Sequence, residues 1–224
     1  KAYLEGFYYK PRIDKEILEA YSEGLICLSG CASSQLSHHI LAGQHDEAAA
    51  LVDWYQQVFG EHLYLEIQNA GLRIQEECLV GTVEISRKAG IPLVATNDSH
   101  YLDRDDSEAH DVLLCVNTRT VISDERRMKM EGNEFFVKTS EEMYDTFPDH
   151  HDAVALTQQI ADGVDIDLDL TTRHFPVFTP PGGQTDTDYL HDLCVVKLRW
   201  RYANEVNKEI TDRLDVELKI IEQM

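Results

Sequence analysis

The sequence predicts an α/β fold made of consecutive parallel βα units. Short apolar runs of strand length recur at Leu25–Ser29, at Leu63–Gln68 and from Leu93 onward. Segments with helical spacing of apolar residues lie between them, and glycines at 60 and 90 stand where helices stop. The order strand, helix, strand, helix, strand at this separation is what right-handed parallel crossovers require.

Taken in order, residues 1–12 are rich in aromatics (Tyr3, Phe7, Tyr8, Tyr9) and close at Pro11. Ile13–Ser22 reads as a short helix with Ile17, Leu18 and Tyr21 on one side. The first strand, Leu25–Ser29, delivers Gly30 and Cys31 at its end. Ser34 caps a helical turn through Leu36–Leu41, and Asp46–Phe59 forms a second helix on Ala49, Val52, Tyr55 and Phe59. Leu63–Gln68 is the second strand and Asn69–Gly71 a turn. Ile74–Ala89 is a helix with Cys78, Val80 and Ile85 at helical spacing. The third strand then opens at Leu93. Downstream, Asp105–Asn117 is helical, Thr139 and Glu142 form a Thr-X-X-Glu capping box, and Asp152–Val164 supplies another helix. Proline and glycine concentrate in Thr171–Gln184, which reads as a linker. Tyr189–Tyr202 and Glu205–Met224 close the chain as helices. A domain boundary is expected at the linker, dividing residues 1–172 from 173–224.

The 224 residues are 43% hydrophobic, enough for a sizeable core. Lys and Arg number 20 against 41 Asp and Glu, a formal charge of −21, which argues against the surface as a main phosphate-binding platform. Arg126, Arg127 and Lys129 form a brief basic patch that reads as a solvated turn pairing with nearby acids. Five cysteines at 27, 31, 78, 115 and 194 make no CxxC pair, so the expected compartment is a reducing cytoplasm. No apolar run long enough to span a membrane is present. The absence of an initiator Met, and a helical pattern still running at the last residue, lead us to expect a piece cut from a longer protein.

In parallel α/β folds reactive groups gather at the carboxyl ends of strands. Here those ends carry Cys31, then Gln68 and Asn69, then Asp98 and His100. In extended backbone, residues two apart point the same way, so Asp98 and His100 would present a carboxylate and an imidazole to one point. That pair suits a divalent transition metal, and a thiolate at Cys31 would favour zinc and acidify bound water. Taken alone, an Asp-X-His in a loop is more often a solvated surface pair, and a single cysteine more often a small buried hydrophobe. His38, His39, His110, His150 and His151 lack a comparable partner and are expected on surfaces or helix faces.

The blocks Gly24-Leu-Ile-Cys-Leu-Ser-Gly-Cys31, Ala95-Thr-Asn-Asp-Ser-His-Tyr101 and Glu108-Ala-His-Asp-Val-Leu-Leu-Cys115 closely resemble the polymerase-and-histidinol-phosphatase (PHP) domain of the bacterial DNA polymerase III alpha subunit. So do Gly6-Phe-Tyr-Tyr-Lys-Pro-Arg12 and the stretch Arg213–Met224. The resemblance implies the later part of a distorted (β/α)7 PHP barrel, followed by a linker and the first helices leading into the polymerase palm. It further implies Cys31, Asp98 and His100 as metal ligands, the remaining ligands lying upstream of Lys1, with zinc or manganese bound there and magnesium at a polymerase site outside this sequence. One departure is Asn69-Ala70-Gly71, where relatives often carry Asp-His-Gly.

The implied function is that of a replicative DNA polymerase acting on primer-template DNA and deoxynucleoside triphosphates. Its PHP site would be a 3′–5′ exonuclease, and its partners the sliding clamp, other replicase subunits and a proofreading exonuclease subunit, with no membrane. The alternative is a non-catalytic PHP scaffold that stabilises the polymerase and docks the proofreading subunit. A stand-alone PHP phosphoesterase fits less well, because the residues after the linker resemble the polymerase lead-in.

Overall fold

Leu63, Leu65 and Ile67 alternate with Tyr64, Glu66 and Gln68 in strand β2 (Leu63–Gln68), the first set buried and the second half-buried. This period-two pattern gives the strand one apolar and one polar face. In the computed structural model, which describes all residues except His174, Asn204 and Met224, β2 lies between β1 (Cys27–Leu28) and β3 (Leu93–Thr96) in a three-stranded parallel sheet. Cys27 pairs with Leu63, and Leu65 through Gln68 pair in register with Leu93 through Thr96.

The helices cover the apolar face. Helices α2 (Gln35–Leu41) and α3 (His45–Phe59) carry the chain from β1 to β2, and their Leu36, Ala48, Leu51, Val52 and Phe59 pack with Leu63 and Leu65. Helix α4 (Arg73–Ala89) returns it to β3. Val83 of α4 joins Ile67, Ala95, Phe147, Ala153 and Val154 in a second cluster, which seats α6 (Ser140–Thr146) and α7 (His151–Asp162) on the sheet. Strand order equal to chain order, with helices on one face, is the βαβ arrangement expected from the sequence. A complete (β/α)7 barrel is not formed by the described residues.

The caps follow the sequence. Ser34 Oγ accepts from the Ser37 amide at 3.2 Å and starts α2. Thr139 and Glu142 form the reciprocal capping box of α6. Gly90, in the left-handed region at φ 71°, ends α4. Other expectations shift. Helix α1 is confined to Lys15–Ala20, because the Asp14 side chain caps at Ile17. β1 is only two residues long, since Leu25 is drawn into a turn by the Ser22 carbonyl, although the Ser29 amide still reaches the Tyr64 carbonyl at 3.1 Å. In α3 the inward face is Ala48 and Leu51 rather than Ala49, and in α4 Val80 is exposed while Gln75, Thr82 and Ser86 are buried. Helix α5 (Ser107–Thr118) follows a short turn capped by Asp103, and its Val112, Leu113 and Val116 are exposed while Cys115 is buried. In the basic patch Arg126 and Lys129 are exposed, but the Arg127 side chain is only 11% exposed, and its guanidinium grips the Asp111 carboxylate with two hydrogen bonds. That ion pair holds the Asp111 carboxyl below the ordinary carboxylate range.

The chain divides into two compact units, Lys1–Ile166 and Asp167–Met224. The second contains a short 3-10 turn at Pro181–Gly183, then α8 (Asp186–Tyr202) and α9 (Lys208–Glu222). Thr185 caps α8 through the Asp188 amide, three residues before the expected Tyr189 start, and Asn207 caps α9 through Ile210. His174 of the expected linker and Met224 of the expected last helix lie outside the described residues.

Leu65 is fully buried at the centre of the sheet. Leu65→Ala is expected to cost about 2–5 kcal/mol in chemical denaturation. Val80→Ala on the exposed side of α4 should stay within about 0.5 kcal/mol.

Candidate metal centre

Each strand hands its last residues to a sharp backbone turn. After β1, Gly30 takes φ 87°, where an added Cβ would meet Ser34 Cβ at 3.1 Å. The Cys31 carbonyl then accepts from the Ser34 amide at 2.8 Å and the Ser37 hydroxyl at 3.0 Å. This double anchor leaves the Cys31 thiol exposed at the sheet's carboxyl edge. After β3, Asp98 adopts φ 56°, a left-handed conformation that Asp tolerates better than most residues. The backbone is therefore not extended between Asp98 and His100, and the two-residue alternation expected there does not apply. They meet by another route: His100 Nδ1 lies 2.8 Å from the Asp98 carbonyl and 3.8 Å from Asp98 Oδ1.

The surroundings hold this turn firmly. Asp98 Oδ2 accepts from Gln75 Nε2 at 3.0 Å, while Gln75 Oε1 takes the Ala70 amide at 2.6 Å. Gln75 is only 4% exposed, so a buried amide ties the Asn69–Gly71 turn to the Asp98 carboxylate. Ala70 is itself buried. On the other side, the His100 amide donates to the Phe135 carbonyl at 2.7 Å, and the His100 ring sits edge-on to Phe135. Asn97 donates to the Phe136 carbonyl and to Ser99 Oγ, and accepts from Lys138 Nζ at 3.2 Å. The Lys138 side chain is 4% exposed and lies over the Phe136 ring. Burial lowers its pKa, an effect opposed by the Glu134 carboxylate 3.6 Å away. His110 of α5, expected on a helix face without a partner, stacks against both His100 and Tyr101 with ring centroids 5.6 and 5.4 Å apart. Sequence spacing could not reveal Gln75, Lys138 or His110, because each reaches the turn from a different element.

The donors present fit part of a metal site. With the Nδ1 proton donated to the Asp98 carbonyl, His100 Nε2 is left as a lone-pair donor, the arrangement that metal-binding histidines commonly show. One Asp98 oxygen is held by Gln75, and the other lies nearer the imidazole. Cys31 lines a narrow cleft with Gly30, Glu66, Gln68 and Gln75, and Gln75 also donates to the Asp98 carboxylate. Among the described residues no three His, Cys, Asp or Glu side chains converge to hold an ion.

Gln75→Ala removes both bonds of a buried amide and is expected to cost about 2 kcal/mol in thermal or urea unfolding. The cysteines should separate by reactivity. Burial pushes the Cys27 thiol up to about 11, and the thiolate is the nucleophile, so its alkylation near neutral pH should trail that of exposed Cys31 and keep rising with pH until about pH 11. Peptide mapping after a timed iodoacetamide pulse reads the order.

The PHP domain profile matches residues 1–70. The DNA polymerase III subunit alpha of Borreliella burgdorferi is 43% identical over 98% of this chain, that of Treponema pallidum 38% over 100%, and that of Thermus aquaticus 39% over 93%. The chain spans 19%, 19% and 18% of the length of these curated relatives. This similarity along nearly the whole chain places it in the DNA polymerase III alpha-subunit family, as a segment that includes PHP-domain sequence.

Proposed function

We propose that the protein carrying this segment is the catalytic alpha subunit of a bacterial replicative DNA polymerase, and that the segment supplies part of its PHP domain and the approach to the palm. The observation that carries the reading is 43% identity to a DNA polymerase III alpha subunit across 98% of the chain. The parent protein would extend primer-template DNA with deoxynucleoside triphosphates in the cytoplasm, using magnesium at a polymerase site outside this sequence. Its partners would be a sliding clamp, other replicase subunits and a proofreading exonuclease subunit. No helix among the described residues is long and apolar enough to cross a membrane.

Within this reading the sheet belongs to a distorted (β/α)7 barrel, its polar face turned to the barrel interior. Cys31, Asp98 and His100 are proposed as ligands for zinc or manganese, joined by donors from the remainder of the domain. A thiolate and an imidazole favour zinc over magnesium, while the carboxylate also suits manganese. When bound, the ion supplies Lewis acidity that polarises a phosphodiester and acidifies water, as 3′–5′ hydrolysis requires. The chain's own residues hold the ligands. Gln75 orients the Asp98 carboxylate, and the Asp98 carbonyl fixes the imidazole tautomer.

Elemental analysis of the full-length protein is expected to find zinc or manganese that is lost in the Asp98→Ala plus His100→Ala double variant, with a lower unfolding temperature because metal binding is linked to folding. Unchanged metal content would rule the assignment out. Metal-dependent removal of 3′ nucleotides by the wild type, lost in the double variant, is expected of a hydrolytic site. Bound metal without that activity would instead favour the scaffold role.

A further inference from the structure

The half-buried carboxylate of Glu66 is not accounted for by the ligand set. It projects from the polar face of β2, and no cation pairs with it among the described residues. Instead it collects neutral donors from both neighbouring strand ends. Oε2 accepts from the Gly30 amide at 3.1 Å, and Oε1 accepts from Thr96 Oγ1 at 2.5 Å and Gln68 Nε2 at 3.2 Å. Its own amide donates to Ser29 Oγ at 2.8 Å. Gly30 immediately precedes Cys31, and Thr96 lies two residues before Asp98.

We propose that Glu66 is a positioning residue for the metal centre, clamping the Gly30–Cys31 turn to the tip of β3 so that the thiol stays in register with Asp98 and His100. The inference rests on the ligand reading above. A hydrogen bond to a charged acceptor is stronger than a neutral one, and a carboxylate is the side chain that can accept on both oxygens at once. Gln68 cannot substitute, because its Nε2 is already shared between Glu66 and Thr96 while its buried Oε1 has no donor.

In Glu66→Leu both acceptor oxygens are lost, and the Gly30 N–H is left without its partner. Glu66→Gln is the milder change, because its carbonyl can accept from Gly30 while its NH2 donates to Thr96 Oγ1 and, once the Gln68 amide turns over, to the otherwise unpartnered Gln68 Oε1. In the metal-free full-length protein, hydrogen exchange of the peptide containing Gly30 is expected to speed up about tenfold in E66L. In the cobalt-loaded protein, the wild type should show a thiolate-to-cobalt charge-transfer absorption that Cys31→Ser abolishes. E66L should lose at least about half of it while the visible cobalt bands persist, and E66Q should recover part of the loss. Should E66L fail to fold, Thr96→Val cuts the other arm with little change of shape and is expected to weaken the same absorption. A normal charge-transfer band and normal Gly30 exchange in E66L, or in its place an unaltered band in Thr96→Val, overturn the clamp and leave the ligand reading standing. A wild type without the band, or one indifferent to Cys31→Ser, overturns the ligand reading and the inference with it.

Discussion

The alternation along β2 is the constraint on which the rest depends. Three apolar side chains on one face can leave water only by packing against helices, and Leu36, Leu51, Val52 and Phe59 provide that cover. The same alternation forces Tyr64, Glu66 and Gln68 to the opposite face. With β1 and β3 paired in parallel on either side, all three strands end at one edge. The gathering of polar groups there follows directly from the pleat.

What those strand ends present is shaped by local backbone geometry. Gly30 and Asp98 both enter the left-handed region just past their strands, which breaks the pleat and turns the following residue out of the sheet. At Gly30 the lack of a Cβ makes this inexpensive. At Asp98 the conformation is supported by contacts from elsewhere: Gln75 on the carboxylate, His100 on the carbonyl, and the Phe135–Lys138 segment behind Asn97. A non-glycine residue held this way by many partners at a strand tip is a common mark of a functional position.

The electrostatic balance is consistent with that organisation. A net charge of −21 gives the segment no general affinity for a polyanion, so engagement of a phosphodiester would depend on a local cation rather than on a basic surface. The Arg126–Lys129 cluster does not alter this, since its Arg127 is committed to Asp111 on α5. Lys138, the most buried of the paired lysines, is spent on ordering Asn97 and the Glu134 region.

The sequence by itself determined the element order, the parallel βα reading and the strand-end positions of Cys31, Asp98 and His100, because apolar periodicity and capping chemistry act within a few residues. Leu63–Gln68 and the Thr139–Glu142 capping box were legible to the residue for that reason. Likeness of several ordered motifs carried the family. Tertiary structure alone decided that Asp98 is left-handed, that the His110 ring meets His100 edge-on, that Lys138 lies buried behind Asn97, and that Gln75 borders the Cys31 cleft while donating to the Asp98 carboxylate. Each of these joins residues from different elements, and the energy that fixes them comes from burial and hydrogen bonding across the fold, which no local pattern records.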